Sequence, residues 1–122
     1  MQRALTHAPL TIYGDGGQTR DFTYVKDIAA ATIFAATTPG VTGVFNAGSG
    51  ESVTVLELAR RILALAGSRS EIRFASERAG DVRHSCADMD ALHAAGFRPV
   101  SSLEAGLNET LDYFRRNPIA TP

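Results

Sequence analysis

Leu10-Thr11-Ile12-Tyr13 alternates in the manner of a β-strand, and Gly14-Asp15-Gly16-Gly17 then turns the chain. Alternation puts Thr11 and Tyr13 on one face of that strand and Leu10 and Ile12 on the other. The next residues, Gln18-Thr19-Arg20-Asp21-Phe22-Thr23-Tyr24-Val25-Lys26-Asp27, hold a short strand-like piece from Phe22 to Val25. A helix follows from Asp27 to Thr38, stopped by Pro39-Gly40. Its apolar stripe reads as Ile28, Ala29, Thr32 and Ala36, but Ala30, Ala31, Ile33 and Phe34 leave it almost no polar side, so the helix calls for cover on several faces.

Outward from this stretch, Val41 to Ala47 reads as a strand, followed by the loop Gly48-Ser49-Gly50-Glu51-Ser52. Thr54 and Glu57 form a capping box, with Val53 and Leu58 as its hydrophobic staple, and fix the start of a helix over Val55 to Ala66. That helix has a core stripe of Val55, Leu58, Ala59, Ile62 and Ala66, and Gly67 is placed to end it in a left-handed conformation. Ile72 to Ala75 reads as a further strand. Asp88 caps a brief helix that Gly96 closes, and Ser101 with Glu104 repeats the capping-box pattern before a last helix to about Arg116. The stripe of that helix is Leu103, Leu107, Thr110, Leu111 and Phe114, and Gly106 weakens it by about 1 kcal/mol relative to Ala. Toward the start, Met1-Gln2-Arg3-Ala4-Leu5 reads as the closing turns of a helix that begins upstream, and Pro9 breaks it.

Strands alternating with four to five helices give an α/β class, a small α+β-like unit with short, partly parallel strands. With 122 residues the chain is one small domain or part of a larger one. Twelve basic residues against thirteen acidic ones, and 44% apolar content, exclude a nucleic-acid polyelectrolyte and a disordered chain. The longest nearly apolar run, Ile28 to Ala36, is too short to cross a hydrocarbon core of about 30 Å. A single Cys86 permits no internal disulfide, so a reducing cytoplasm is expected. Four exposed strand edges and an all-round apolar helix exceed what so short a chain buries, which implies packing against something further.

His84, Cys86 and Asp88 lie two apart, with His93 beyond, but the spacing lacks the paired ligands of a zinc site and no metal is expected. Gly48-Ser49-Gly50 lacks the spacing of a nucleophile elbow, of G-x-G-x-x-G and of a P-loop. Its place between a strand and a capped helix still offers N–H groups to an anion. Thr11 and Tyr13 present a hydroxyl and a ring to a flat heterocycle, and Arg20 arrives behind a glycine-rich turn with a fork of donors suited to phosphate. Arg78-Ala79-Gly80-Asp81-Val82-Arg83 brackets a glycine with a phosphate-binding guanidinium and a carboxylate suited to ribose hydroxyls. Surface ion pairs, Arg20 with Asp21 or Arg78 with Asp81, each worth up to about 1 kcal/mol, are the competing reading.

Together, Leu10 to Asp27, Val44-Phe45-Asn46-Ala47-Gly48-Ser49-Gly50-Glu51, Arg78 to Arg83 and Ser102-Leu103-Glu104-Ala105-Gly106-Leu107 resemble the C-terminal part of the NAD-dependent nucleotide-sugar epimerases and dehydratases. These are the extended short-chain dehydrogenases that include UDP-glucose 4-epimerase. The resemblance runs from about Leu5 to Pro118. It implies that residues 1–122 are a nucleotide-sugar-binding domain, completing a Rossmann-type fold whose dinucleotide-binding domain lies outside this chain. Thr11 and Tyr13 would border the base, Arg20 and Arg78 would bind the diphosphate, Asp81 the ribose hydroxyls, and Asn46 the phosphate region. The substrate would be a UDP- or dTDP-sugar. NAD or NADP would belong to the parent enzyme, expected to be a homodimer, with no cofactor held by this chain alone. The family's G-x-x-G-x-x-G and Tyr-x-x-x-Lys are absent: Tyr13, Tyr24 and Tyr113 are followed four positions on by Gly17, Ile28 and Asn117. No catalytic residue is therefore expected here. Met1 falls where the family continues a helix, so it reads as an internal methionine of a longer enzyme or as the start of a truncated product. Two further readings are a non-catalytic module docking a separate dinucleotide-binding subunit, through the apolar helix over 28–36, and a methyltransferase-like nucleotide-binding domain suggested by Gly48-Ser49-Gly50.

Overall fold

A computed structural model describes residues 1–118. The elements run α1 (Gln2–Leu5), β1 (Leu10–Tyr13), β2 (Thr19–Arg20), α2 (Val25–Thr37), β3 (Val53–Thr54), α3 (Val55–Ala66), β4 (Ile72–Ala75), α4 (Asp90–Ala94) and α5 (Leu103–Arg116). β1 pairs in parallel with β4, Leu10 opposite Ile72 and Tyr13 opposite Ala75. β2 pairs antiparallel with β3. The parallel pair requires a crossover, and α3 supplies its packed part.

Two apolar clusters hold these elements. Ala4, Ile62 and Leu107 centre the first, where α1, α3 and α5 meet over Leu10. Ala31, Met89 and Leu92 centre the second, between α2 and α4, with Phe34 stacked at a tilt on Phe97, centroids 5.5 Å apart. α3 starts as its cap dictates: Thr54 Oγ1 accepts the Glu57 N–H at 3.1 Å, and Gly67 closes the helix at φ 59°. The carboxylate of Glu57 turns outward to Arg61.

α5 keeps its predicted face, Leu107 and Leu111 buried, but its cap is Ser102, whose Oγ accepts the Ala105 N–H at 3.1 Å. Ser101 gives its N–H to the buried Asp27 carboxylate instead, as does Val100. Asp88 likewise lies one place before the N-cap of α4, Met89, and its Oδ1 accepts the Asp90 N–H at 3.0 Å.

Two expected strands are absent, and two unexpected ones take their place. Phe22–Val25 is irregular up to Tyr24, the N-cap of α2, because Asp21 and Thr23 are drawn into side-chain hydrogen bonds. Val41–Ala47 is also irregular. A strand exists only through a partner, and among the described residues no segment pairs with it, leaving Val44 96% exposed. In their place β2 and β3 form a two-residue ladder at the root of α3.

α2 turns the face opposite to its apolar stripe toward the core. Asp27 and Ala31 are buried and Phe34 and Ala35 half-buried, whereas Ile28, Ala29, Thr32 and Ala36 point outward with Ile33. Asp27 decides this orientation: its carboxylate serves two backbone N–H groups ahead of α5, and a buried charge needs such partners. No helix among the described residues is long and apolar enough to cross a membrane.

Candidate functional site

Four of the six predicted site residues, Tyr13, Arg20, Arg78 and Asp81, come together at the C-terminal end of the β1–β4 pair, with Thr11 exposed two residues back on the same face of β1. Ile12 is buried, so Thr11 and Tyr13 are exposed on the other face of β1, as alternation requires. At the end of β4 the chain turns through Arg78-Ala79-Gly80-Asp81. The Asp81 N–H donates to the Arg78 carbonyl at 3.2 Å, and Gly80 takes φ 80°, a value that favours glycine. The turn sets Arg78 and Asp81 side by side. Arg78 lies over the Tyr13 ring, guanidinium carbon 3.8 Å from the centroid. Asp81 Oδ1 accepts from Arg20 Nη2, and Arg20 Nη1 donates to the Thr19 carbonyl at 2.8 Å. The Arg20 and Asp81 side chains are 27% and 32% exposed, within reach of a ligand.

Neither local ion pair considered from sequence forms. Arg20 reaches past its neighbour to Asp81, and Arg78 stacks on an aromatic ring. Asn46 stands apart: it is exposed in the unpaired 41–47 segment and makes no hydrogen bond to the other five.

The Gly48-Ser49-Gly50 loop does bind an anion, and the anion belongs to the chain. Asp21 Oδ1 accepts from the N–H and hydroxyl of Ser49 at 2.9 and 2.6 Å, and Oδ2 from the N–H of Gly50 and Ala87 at 3.0 and 3.3 Å. A Cβ on Gly48 would fall 2.5 Å from Asp21 Oδ2. Partial burial works to raise the Asp21 pKa, but the Ser49 hydroxyl and the three N–H groups outweigh it and hold the carboxyl below its ordinary value. A loop already filled by a carboxylate has no room for a dinucleotide pyrophosphate. The Gly48-Ser49-Gly50 loop therefore does not fit NAD, and no step through that cofactor is assigned to it.

Sequence reasoning missed Asp21 as the occupant of this loop, because Ser49, Gly50 and Ala87 lie 28 and more residues downstream; only Thr23 is a local partner. The signal was a loop built for an anion with an aspartate next to the proposed site arginine. It also missed Asp15 and Arg83, which form a bidentate pair at 2.7 and 2.8 Å. His84 Nδ1 lies 3.1 Å from Thr19 Oγ1, a contact that fastens the same loop.

In sequence and fold the chain is similar to known nucleotide-sugar enzymes. Residues 1–48 match the family described as NAD dependent epimerase/dehydratase. UDP-glucuronic acid decarboxylase 1 of Danio rerio is 38% identical over 115 residues, 93% of this chain and 27% of that protein. The dTDP-L-rhamnose 4-epimerase of Burkholderia thailandensis is 36% identical over 102 residues, 82% of this chain and 28% of that protein. Among solved structures, the UDP-glucose 4-epimerase of Thermotoga maritima with UDP-glucose superposes with a TM-score of 0.88 at 36% identity, covering 94% of this chain and 37% of the other. The chain thus spans about a third of the length of the relatives it matches.

Proposed function

The chain belongs to the NAD-dependent epimerase/dehydratase family, and we propose that its residues hold the nucleoside diphosphate of a nucleotide-sugar without carrying out the reaction on the sugar. The observation that carries this reading is convergence. Two guanidinium groups, one carboxylate and one exposed aromatic ring, drawn from positions as far apart as Tyr13 and Asp81, meet at one strand end. A diphosphate asks for the two forks, a ribose diol for the carboxylate, and a base for the ring face. Thr11 would flank the base, and Asn46 would lie on the phosphate side, two residues ahead of the Gly48 loop. A UDP- or dTDP-sugar is the matching substrate. In the parent reaction NAD would take and return a hydride, bound by a dinucleotide domain that supplies the Tyr-x-x-x-Lys. The single thiol suits a reducing cytoplasm.

Calorimetric titration of the 122-residue chain with UDP, beside Arg20→Ala, tests the assignment. A saturable heat in the wild type that weakens roughly tenfold or more in the variant supports it, since a charge-assisted hydrogen bond is worth about 1.5–3 kcal/mol. Equal heats remove Arg20 from the site.

A second reading is favoured by the outward face of α2 and the unpaired 41–47 segment: a non-catalytic module that docks a separate dinucleotide-binding subunit. Ile33 is 63% and Val44 96% exposed, and residues 41–47, strand-like in composition, pair with no strand among the described residues. A clean 13 kDa monomer that takes up no dinucleotide-binding partner in sedimentation would count against docking.

A further inference from the structure

The Arg78–Asp81 turn is fastened to the rest of the molecule by a pair that touches none of the proposed ligand groups. Arg83 donates Nη1 to Asp15 Oδ1 and Nη2 to Asp15 Oδ2, a fork on a carboxylate that fixes orientation as well as distance. Asp15 is itself held by the Gly17 N–H at 2.8 Å. The guanidinium lies directly against Gly17: a Cβ there would fall 2.8 Å from Arg83 Nη2 and 3.2 Å from Asp15 Oδ1. Gly17 has no left-handed backbone, and a side chain there would push the Arg83 guanidinium aside. The main chain is tied at the same point, the Thr19 N–H donating to the Arg83 carbonyl at 2.9 Å and the Ser85 N–H to the Thr19 carbonyl at 3.2 Å.

We propose that Arg83, gripped by Asp15 across Gly17, is a positioning residue that sets the register in which Arg78 meets Tyr13 and Asp81 meets Arg20. The proposal rests on the nucleotide reading of that surface. A guanidinium stacked on a ring slides easily over it, and the Arg20–Asp81 contact uses one nitrogen and one oxygen. Neither fixes where the turn sits. The Asp15–Arg83 fork, two residues past Asp81, does. Arg83 foremost, then the Gly17 N–H, holds the Asp15 carboxyl below the usual carboxylate range, so the pair stays charged at neutral pH. Because the pair is exposed it adds little to global stability, and its loss is felt locally.

The test uses the full chain as Arg83→Ala, Gly17→Ala and the charge-swapped Asp15→Arg/Arg83→Asp. In ligand-free hydrogen exchange, residues 76–85 exchange several-fold faster in the first two variants and recover in the swap, while α3 and α5 keep wild-type protection. In UDP titration Arg83→Ala binds roughly tenfold weaker, and this loss vanishes when Arg78 and Asp81 are already alanine, as coupled residues require. Wild-type exchange at 76–85 in Arg83→Ala overturns the proposal, as does an affinity loss that persists undiminished in the Arg78→Ala/Asp81→Ala background. If the wild type itself does not bind UDP, the nucleotide reading falls, and the exchange comparison still decides whether Arg83 holds the turn.

Discussion

Arg20 and Asp81, 61 residues apart in sequence, are paired guanidinium to carboxylate at the C-terminal end of the β1–β4 pair. In the free protein four of the proposed ligand-binding groups thus occupy one another, Arg20 with Asp81 and Arg78 with Tyr13. A diphosphate must compete with Asp81 for Arg20, and a base must compete with Arg78 for the face of Tyr13.

Asp81→Asn keeps the shape of the side chain and releases Arg20. Inorganic pyrophosphate, which has no ribose, then binds roughly threefold tighter, the scale of a half-exposed ion pair. UDP gains nothing, because its ribose hydroxyls lose the carboxylate. Glu77→Gln removes the same charge from the neighbouring loop without touching Arg20 and serves as control. Calorimetry with both ligands checks this; equal gains for Asp81→Asn and Glu77→Gln would reduce the effect to bulk charge.

Gly106→Ala destabilises the fold, although alanine gains about 1 kcal/mol of helix propensity. The added Cβ would lie 3.0 Å from Tyr24 Cβ and 3.1 Å from Cγ. Tyr24 cannot retreat readily: it caps α2, and its hydroxyl donates to Glu109 on α5 at 2.7 Å. Overpacking of this kind costs about 1–3 kcal/mol, so thermal unfolding should show a lowered Tm. A raised Tm would mean that the α2–α5 contact yields.

Asp21 makes the protein acid-sensitive in a defined direction. Its folded pKa lies below its unfolded value of 3.8, so its stabilisation is complete above that value and is lost as pH falls through the folded one. Asp21→Asn lowers stability by about 1–2 kcal/mol at neutral pH. The gap between variant and wild type closes at low pH as wild-type Asp21 takes up a proton. Denaturant unfolding across pH 2 to 7 measures the gap, and one that stays constant would place the titrating group elsewhere.

Substitutions on the outward face of α2 and in the 41–47 segment, such as Ile33→Glu and Val44→Lys, leave unfolding free energy within about 0.5 kcal/mol of wild type, because these side chains are mostly exposed and bury little within the chain. They reduce concentration-dependent light scattering. A large loss of stability in either variant would show that these residues pack internally.

How much was legible in the sequence follows from the range of each interaction. Thr54, Glu57 and Gly67 announced α3 because caps act within one turn. Thr11 and Tyr13 were read onto one face because alternation is local. Asp27 was legible only as a residue at a helix start, yet its reach to Val100 and Ser101 rotates α2 and turns the apolar stripe outward. The same limit hid Asp21 in the Gly48 loop. Val41 to Ala47 has the composition of a strand, but composition supplies no partner, and without one the ladder does not form. Arg20, Arg78 and Asp81 were recognised as a set through family resemblance, since no local rule joins residues so far apart.

The central claim is that Tyr13, Arg20, Arg78 and Asp81 form one nucleotide-binding surface, and mapping amide chemical shifts of the labelled chain during UDP titration tests it most directly. The account predicts saturable shifts concentrated at residues 11–13, 19–20 and 78–83, with the Gly48–Gly50 loop unmoved because Asp21 fills it. Shifts that gather at Gly48–Gly50, or that leave 78–83 untouched at saturating UDP, would contradict it.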